Sequence, residues 1–314
     1  MSIMHKMKKL ILKNECLTFY TKSIVFTLYK KAASIISDEK YITWQYRIKT
    51  GKKLDLNNVK TFNEKIQWLK LYYRAPIMKQ CVDKDTAREY ICAKGLEEIL
   101  IPQIGVYNSA KEIKLEDLPP QFILKQTNGS GFNYICTNKI SFRFQSIKKY
   151  LDRSLKWNGY YYGREWAYKD IPNKIVCETL LIDEQGEVPK DYKIFCFEGK
   201  PILIGVDIDR FKRHRRNMYD VEWHKLNMEW GYKQYEMDLP KPKPLGKMIE
   251  IAKKLSEDFL FVRVDLYVIG EKIYFGELTF YPSSGYVNFS SDEIDEKLGD
   301  LIPLEKINFY NNKS

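Results

Sequence analysis

Beyond Leu118 the chain becomes a succession of short β-forming runs: QFILKQT, YICTNK, KIVCETLLI, DYKIFCF, PILIGVDI, FLFVRVDLYV and KIYFGELTFY. Gly, Asn, Asp and Pro separate them, so each run reads as one strand, and isolated strands are stable only once they join sheets. Helical interludes are expected near residues 142–156 and 244–257. Hairpins are expected at Glu198-Gly199 and at Ile269-Gly270-Glu271. Up to about Gly95 the pattern is helical instead, with Phe62, Ile66, Leu69 and Tyr73 recurring at three- and four-residue steps. Thr61 followed by Glu64 is a capping box that marks where one helix begins. The three prolines Pro240, Pro242 and Pro244 make residues 237–246 an extended connector. The expected class is α+β with a helical N-terminal region.

A chain of 314 residues, 44% hydrophobic, can bury a real core, so disorder is excluded as its general state. A net charge of +11 calls for an anionic partner: a nucleotide, acidic polysaccharide, anionic lipid or nucleic acid. Basic residues concentrate in KMKK and in the stretch Arg210, Lys212, Arg213, Arg215 and Arg216. Six cysteines without a C-x-x-C pair argue against zinc and against a disulfide framework. Cys136, Cys177 and Cys196 fall in strand-like runs and read as buried reduced thiols, which points to the cytoplasm. Lys13, Asn14 and Glu15 interrupt the apolar part of residues 1–36 before a signal sequence can form, and no run of about eighteen apolar residues occurs. That N-terminal stretch has two readings, a helix packed on its own domain or an amphipathic helix touching the inner face of a membrane.

The most informative segment is FVRVDLYVIGEKIYFGELTFY. A side-chain period of two puts Phe261, Arg263, Asp265 and Tyr267 on one face of the first strand. On the second strand the same rule groups Phe275, Glu277, Thr279 and Tyr281. An odd-length loop centred near Glu271 brings Glu277 opposite Asp265, whereas an even one leaves the two diagonal. Like charges placed opposite cost about 0.2–1 kcal/mol, so a cation belongs between them. Arg263 can be that cation, and so can a divalent ion held by oxygen ligands, which suits Mg²⁺ with phosphates.

A second hairpin, QFILKQT-NGSGFN-YICTNK, joins two strands through glycines. Gly129 and Gly131 permit a close backbone approach, and Ser130 with the loop amides can bind anionic oxygens. Lys125 adds a point charge suited to phosphate. The loop is no Walker A sequence, since G-x-x-x-x-G-K-[ST] is missing, as is G-x-G-x-x-G. His5, His214 and His224 lack metal-ligand spacing, and neither a G-x-S-x-G elbow nor H-R-D and D-F-G occurs, which leaves zinc hydrolysis, triad catalysis and protein-kinase chemistry without their parts.

The order of these parts resembles the ATP-grasp superfamily: a lysine strand, a glycine-rich loop, an E-x-x-L hinge, then R-x-D and an acidic strand. DYKIFCFEGKP, DRFKRH with YDVEWHKL, and FVRVDLYVIGEKIYFGELTFYPSSG are similar to its TupA-like branch, associated with teichuronopeptide and capsular polysaccharide clusters. The similarity runs from about Phe62 to Pro303. It implies two α+β subdomains clasping ATP, with residues 1–75 as the helical N-terminal region, 76–120 opening the core, 121–185 forming a mobile lid and 186–310 the core with the magnesium strands. By this resemblance Lys84 and Lys125 bind phosphate, and Asn128, Gly129, Ser130 and Gly131 form the lid loop. Glu178 and Leu181 meet the adenine edge, Asp191 and Lys193 the ribose side, while Asp265 and Glu277 hold Mg²⁺. Arg263 stabilises charge on an acyl phosphate. The superfamily's E-x-N stands here as Glu277-Leu278-Thr279, so Thr279 would supply the third oxygen.

The expected function is an ATP- and Mg²⁺-dependent ligase joining a carboxylate, such as a uronic acid on a glycan, to an amino acid or other amine. Nucleic acid is not an expected partner. Arg210 and His214, in the basic stretch from Asp207 to Arg216, are expected to meet the anionic acceptor through guanidinium–carboxylate pairing. Two rivals stand beside this reading. A metal-dependent glycosyltransferase would use Asp207-Ile208-Asp209 as its D-x-D, and a basic module binding polysaccharide or membrane would need no nucleotide.

Overall fold

A computed structural model describes residues 30–31, 35–129, 133–208 and 213–313. Helix α1 (Asp38–Thr50) begins where the Ser37 side chain accepts from the Lys40 amide, and it stops at Gly51, whose φ of 73° closes the last turn onto the Arg47 carbonyl. Helix α2 (Phe62–Tyr72) starts at the Thr61–Glu64 capping box, with both reciprocal bonds formed. Its Phe62, Ile66 and Leu69 are buried, the face expected from their spacing. Two short helices follow, α3 (Ile77–Val82) and α4 (Ala87–Ala93).

Strands β1 (Gln103–Tyr107), β2 (Phe122–Gln126), β3 (Asn133–Cys136) and β4 (Ile175–Thr179) form one antiparallel sheet in the order β1-β4-β2-β3. Between β3 and β4 lie α5 (Phe144–Ser154) and α6 (Gly159–Gly163). Phe144 and Leu151 of α5 join Phe122, Leu124, Ile175 and Cys177 in a small separate core. The strand β1 was not legible as such, because QIGVY is only half-buried along its length and shows no alternation.

The second sheet is wholly antiparallel, in the order β10-β9-β5-β6-β7-β8. It comprises β5 (Asp191–Phe197), β6 (Lys200–Ile208), β7 (Arg215–Asp220), β8 (Lys225–Leu226), β9 (Phe261–Ile269) and β10 (Lys272–Thr279). Helix α7 (Leu245–Ser256) covers one face with Leu245, Met248, Ile251, Ala252 and Leu255. On the other face Phe62 stands edge-on to Phe197, Trp230 and Phe261, closing that end of the sheet. Each fully buried side chain of this kind contributes about 1.5–3 kcal/mol. Helix α8 (Asp292–Asp300) then packs on α2 so tightly that a Cβ at Gly299 would lie 2.1 Å from the Lys60 carbonyl oxygen.

Two expectations need correction here. The β9–β10 turn is even, not odd: Ile269 pairs with Lys272, leaving Gly270 and Glu271 between, with Gly270 at φ 60°. Glu277 nevertheless pairs with Asp265, because a bulge between Phe275 and Glu277 inserts Gly276 and shifts the register by one residue. A Cβ at Gly276 would come within 2.9 Å of the Asp265 carbonyl oxygen, so the bulge is glycine-specific. Phe275 lies before the shift, paired with Leu266 on the apolar face and so away from Glu277 and Thr279. The second correction concerns the basic stretch: Arg215 and Arg216 belong to strand β7, and Arg216 is buried rather than displayed on a loop.

Candidate active site

One face of the second sheet carries a continuous row of charge. On β9 and β10, Arg263 donates to both carboxylate oxygens of Asp265, at 2.6 Å each, and reaches Glu277 Oε1 at 3.1 Å and Thr279 Oγ1 at 3.0 Å. Thr279 in turn donates to Glu277 at 3.0 Å. On β5 the Lys193 ammonium lies 2.5 Å from Asp191 and 2.9 Å from Asp265. From β6, Asp207 accepts from Arg216 Nε at 2.6 Å, lies 3.7 Å from Lys193 and lies 3.1 Å from His214 Nε2. His214 stacks on Tyr232 at 3.6 Å.

Cross-strand pairing explains why these residues meet. Lys193 is opposite Asp265, which is opposite Glu277, and Asp207 is opposite Arg216, so alternation puts every member on the same face. Burial works against each charge, and partners overcome it. Burial raises the Asp265 carboxyl, but Arg263 and Lys193 hold it below the usual carboxylate range. Asp207 is likewise driven up by burial and pulled well below that range by Arg216, Lys193 and His214. Arg263 loses to burial but is held still more firmly cationic by Asp265, Glu277 and Asp191.

The first sheet supplies lysines. Lys125 on β2 pairs with Glu178 on β4 at 2.7 Å. Lys84 is tied to the glycine turn, its amide donating to the Thr127 carbonyl and its ammonium to the Gly129 carbonyl at 2.9 Å. Gly129 has φ 89°, a conformation that suits glycine. Asn128 is buried and anchors the turn by donating to the Ile171 carbonyl. The two sheets meet electrically at Lys84. Burial lowers its ammonium pKa, Glu277 on the second sheet opposes that, and Lys125 and Glu178 on the first act on it as well.

Of the residues singled out from sequence, Arg263, Asp265, Glu277, Thr279, Asp191, Lys193 and His214 gather on the charged face, while Lys84, Lys125, Asn128, Gly129 and Glu178 gather about the glycine turn. Leu181 lies just past the end of β4 and is half-buried. Ser130, Gly131, Arg210, Lys212 and the N-terminal residues 1–29, with Cys16 among them, lie outside the described residues. Sequence reading missed Tyr168, whose phenol is raised by burial and feels Glu165, Glu277 and Arg263. It also missed Asp207 as a hub, having weighed it as half of a D-x-D and as the start of the basic stretch that runs to Arg216. His224 approaches Asp220 and Glu222 at the surface, where Asp220 accepts from the amides of Glu222 and His224 in an ordinary turn.

An α+β pair of antiparallel sheets, with lysines and a glycine turn on one and paired carboxylates on the other, is the arrangement of an ATP-grasp protein. The family model described as TupA-like ATPgrasp matches residues 64–303, and the chain belongs to that family. Among solved structures, the D-alanine–D-alanine ligase of Bacillus anthracis is similar at 15% identity and a TM-score of 0.43, over 75% of this chain and 70% of that one. The corresponding ligase of Helicobacter pylori shares 17% identity at a TM-score of 0.40, over 81% and 68%. The phosphoribosylamine–glycine ligase of Thermotoga maritima shares 12% at 0.41, over 67% and 50%. No curated protein matches the sequence. No helix among the described residues is long and apolar enough to cross a membrane.

Proposed function

We propose that the chain is an ATP-dependent carboxylate–amine ligase acting through an acyl phosphate. The observation that carries this is the convergence at Lys84 of the glycine turn, the Lys125–Glu178 pair and the field of Glu277. In the reaction a substrate carboxylate oxygen attacks the γ-phosphorus and ADP departs. The amine nitrogen then attacks the acyl carbon, and phosphate leaves with the electron pair of the broken C–O bond. Such chemistry asks the protein for positioning and charge stabilisation rather than for a covalent nucleophile.

Lys84 and Lys125 are assigned to the ATP phosphates, and Asn128, Gly129, Ser130 and Gly131 to the lid loop. Glu178 and the backbone of Leu181 are assigned to the adenine edge, and Asp191 with Lys193 to the ribose side. Asp265, Glu277 and Thr279 offer only oxygen donors, a set that fits Mg²⁺ bound by one or two carboxylates together with phosphates. Magnesium bound there would supply charge neutralisation of the transferring phosphoryl group. Arg263 already spans both carboxylates and is assigned to charge on the acyl phosphate. His214 and Arg210 are assigned to the carboxylate-bearing acceptor, a uronic acid or similar unit of a surface polysaccharide precursor, and the inner membrane face is the place such a precursor would be met. The glycosyltransferase reading is weakened because it gives no role to Lys84 and Lys125 gathered about the glycine turn.

A thermal-shift panel tests the assignment. ATP and ADP with Mg²⁺ are expected to raise the melting temperature, and nucleotide sugars are not. Stabilisation by nucleotide sugars alone would reverse it in favour of the glycosyltransferase.

A further inference from the structure

Lys70 on α2 is an ammonium buried to 1% exposure, outside every role assigned above. It donates to Gln67 Oε1 at 2.9 Å, to the Ser284 carbonyl at 2.8 Å and to Ser284 Oγ at 2.9 Å. Ser283, Ser284 and Gly285 follow one another at φ 50°, 55° and 66°, a left-handed turn that two serines would not adopt unaided. Gln67 helps to hold it, donating to the carbonyls of Ser284 and Gly285 at 3.0 and 2.8 Å. The Glu165 carboxylate and the Ser284 hydroxyl face the same point beside Gly163, and Ser284 lowers the Glu165 carboxyl against burial. Gly163 leaves the room for this contact: a Cβ there would lie 2.7 Å from Ser284 Oγ and 2.9 Å from Glu165 Oε1. Three distant segments thus present one carboxylate. Its surroundings adjoin the charged face: the Ser284 turn follows β10 five residues after Thr279, and helix α3 packs on both β10 and the segment Trp166–Tyr168 that follows Glu165.

We propose that Glu165, held by the Ser284 turn and Lys70, binds the attacking amine and takes its proton. This rests on the ligase reading and names a primary amine as the second substrate. A primary amine arrives as an ammonium and cannot attack until one N–H proton has left. That proton passes to the Glu165 carboxylate, and the freed lone pair forms the C–N bond as phosphate leaves. A second nitrogen proton goes to solvent as the amide forms. Lys70 does not fill this role, because its three N–H groups match three oxygen acceptors, which makes it a positioning residue for the turn. Burial raises the Glu165 carboxyl against the pull of Lys70, Ser284 and Lys49, which strengthens it as a proton acceptor. Burial takes the Lys70 ammonium down to about 7, with Glu165 opposing and Lys49 adding. The other titratable groups feeling the Glu165 charge are the phenols of Tyr168, Tyr281 and Tyr286.

Hydroxylamine separates this role from a structural one, since its nitrogen is already neutral at pH 7 and needs no base. The full chain with ATP, Mg²⁺ and glucuronate is given either hydroxylamine or a panel of amino acids, and hydroxamate and amide are measured. Glu165→Gln should lower amide formation by about 10²–10⁴-fold, the usual span for a lost proton acceptor, while hydroxamate formation stays within a few-fold of wild type. Raising the pH should restore amide formation in the variant. Glu165→Asp, which keeps the carboxylate, should retain amide formation with a shifted pH profile, and it serves equally if the glutamine variant does not fold. Ser284→Ala should raise the KM of the amine and leave that of ATP unchanged. Equal loss of both products, or loss of neither, would overturn the proposal. A wild-type chain stabilised by ATP that makes neither product removes the ligase reading itself, and this proposal with it.

Discussion

Asp207 is the acid whose removal should be felt most widely, because its side chain is 1% exposed and its oxygens face Arg216, Lys193 and His214. Asp207→Ala leaves the buried Arg216 guanidinium without its carboxylate, and such losses cost about 3–5 kcal/mol, measurable as a lower urea midpoint at unchanged slope. The pH dependence follows from the depressed folded pKa. An unfolded aspartate titrates near about 4, so the contribution is complete above that value and fades as the pH falls through the lower folded one. Urea midpoints from neutral pH down to strong acid should therefore fall less steeply in Asp207→Ala than in wild type. Asp265 and Glu277 belong to the same scale. Glu277→Gln and Asp265→Asn should abolish turnover in a folded chain, and Thr279→Ala should weaken the magnesium titration if its hydroxyl is a ligand. These acids could be found from alternation alone, since R-x-D and E-x-T put like-facing charges on neighbouring strands. Asp207 could not, because its partner Arg216 sits in a run that reads as a solvated basic loop. Lys70 and Glu165 gave no local pattern at all; they meet only through tertiary packing.

At the scale of elements, β10 shows how a single residue sets the site. The even turn at Gly270-Glu271 pairs Phe275 with Leu266 and, carried on unchanged, would pair Glu277 with Val264 on the apolar face; Gly276 shifts the register immediately before the acid. Gly276→Ala must displace the Asp265 carbonyl, so a loss of about 1–3 kcal/mol is expected, typical of overpacking, together with a larger loss of magnesium-dependent activity. Full activity with an unchanged melting temperature would mean that the strands accommodate a Cβ without moving Glu277. The bulge was invisible in the sequence because a glycine within a strand pattern fits either reading. Strand β7 was hidden for a different reason. Arg216 and Asn217 look solvent-facing, yet both are buried and satisfied, Asn217 by the Tyr235 amide and the Met237 carbonyl. The helices were more legible, since caps and three- to four-residue spacing are local signals: α2 shows both, and α7, which has no side-chain cap, shows the spacing in its buried face.

At the scale of the whole molecule the described residues form two sheet cores and a third small cluster of Ile42, Tyr46 and Leu54, and the proposed nucleotide would touch both sheets. Cys136 and Cys177 report on the small core, Cys81 and Cys196 on the large one. With ATP at about a hundred times its Kd, a binder of the folded state adds about 2.7 kcal/mol, so pulsed alkylation of all four thiols should slow together. Slowing confined to one pair would mean that the nucleotide rests on a single sheet. The general division into helical and sheet regions follows from the chain's texture, but β1 as a member of the first sheet does not, because QIGVY shows no alternation. The aromatic wall built by Phe62 against Phe197, Trp230 and Phe261 has a consequence for traffic. It stands on the same face as the charged row, at the Phe195–Phe197 end, where Trp230 lies 4.0 Å from Phe195. The charged row runs across the strands, so this wall closes one long side of it with apolar rings, and polar groups reach the row only from the other side.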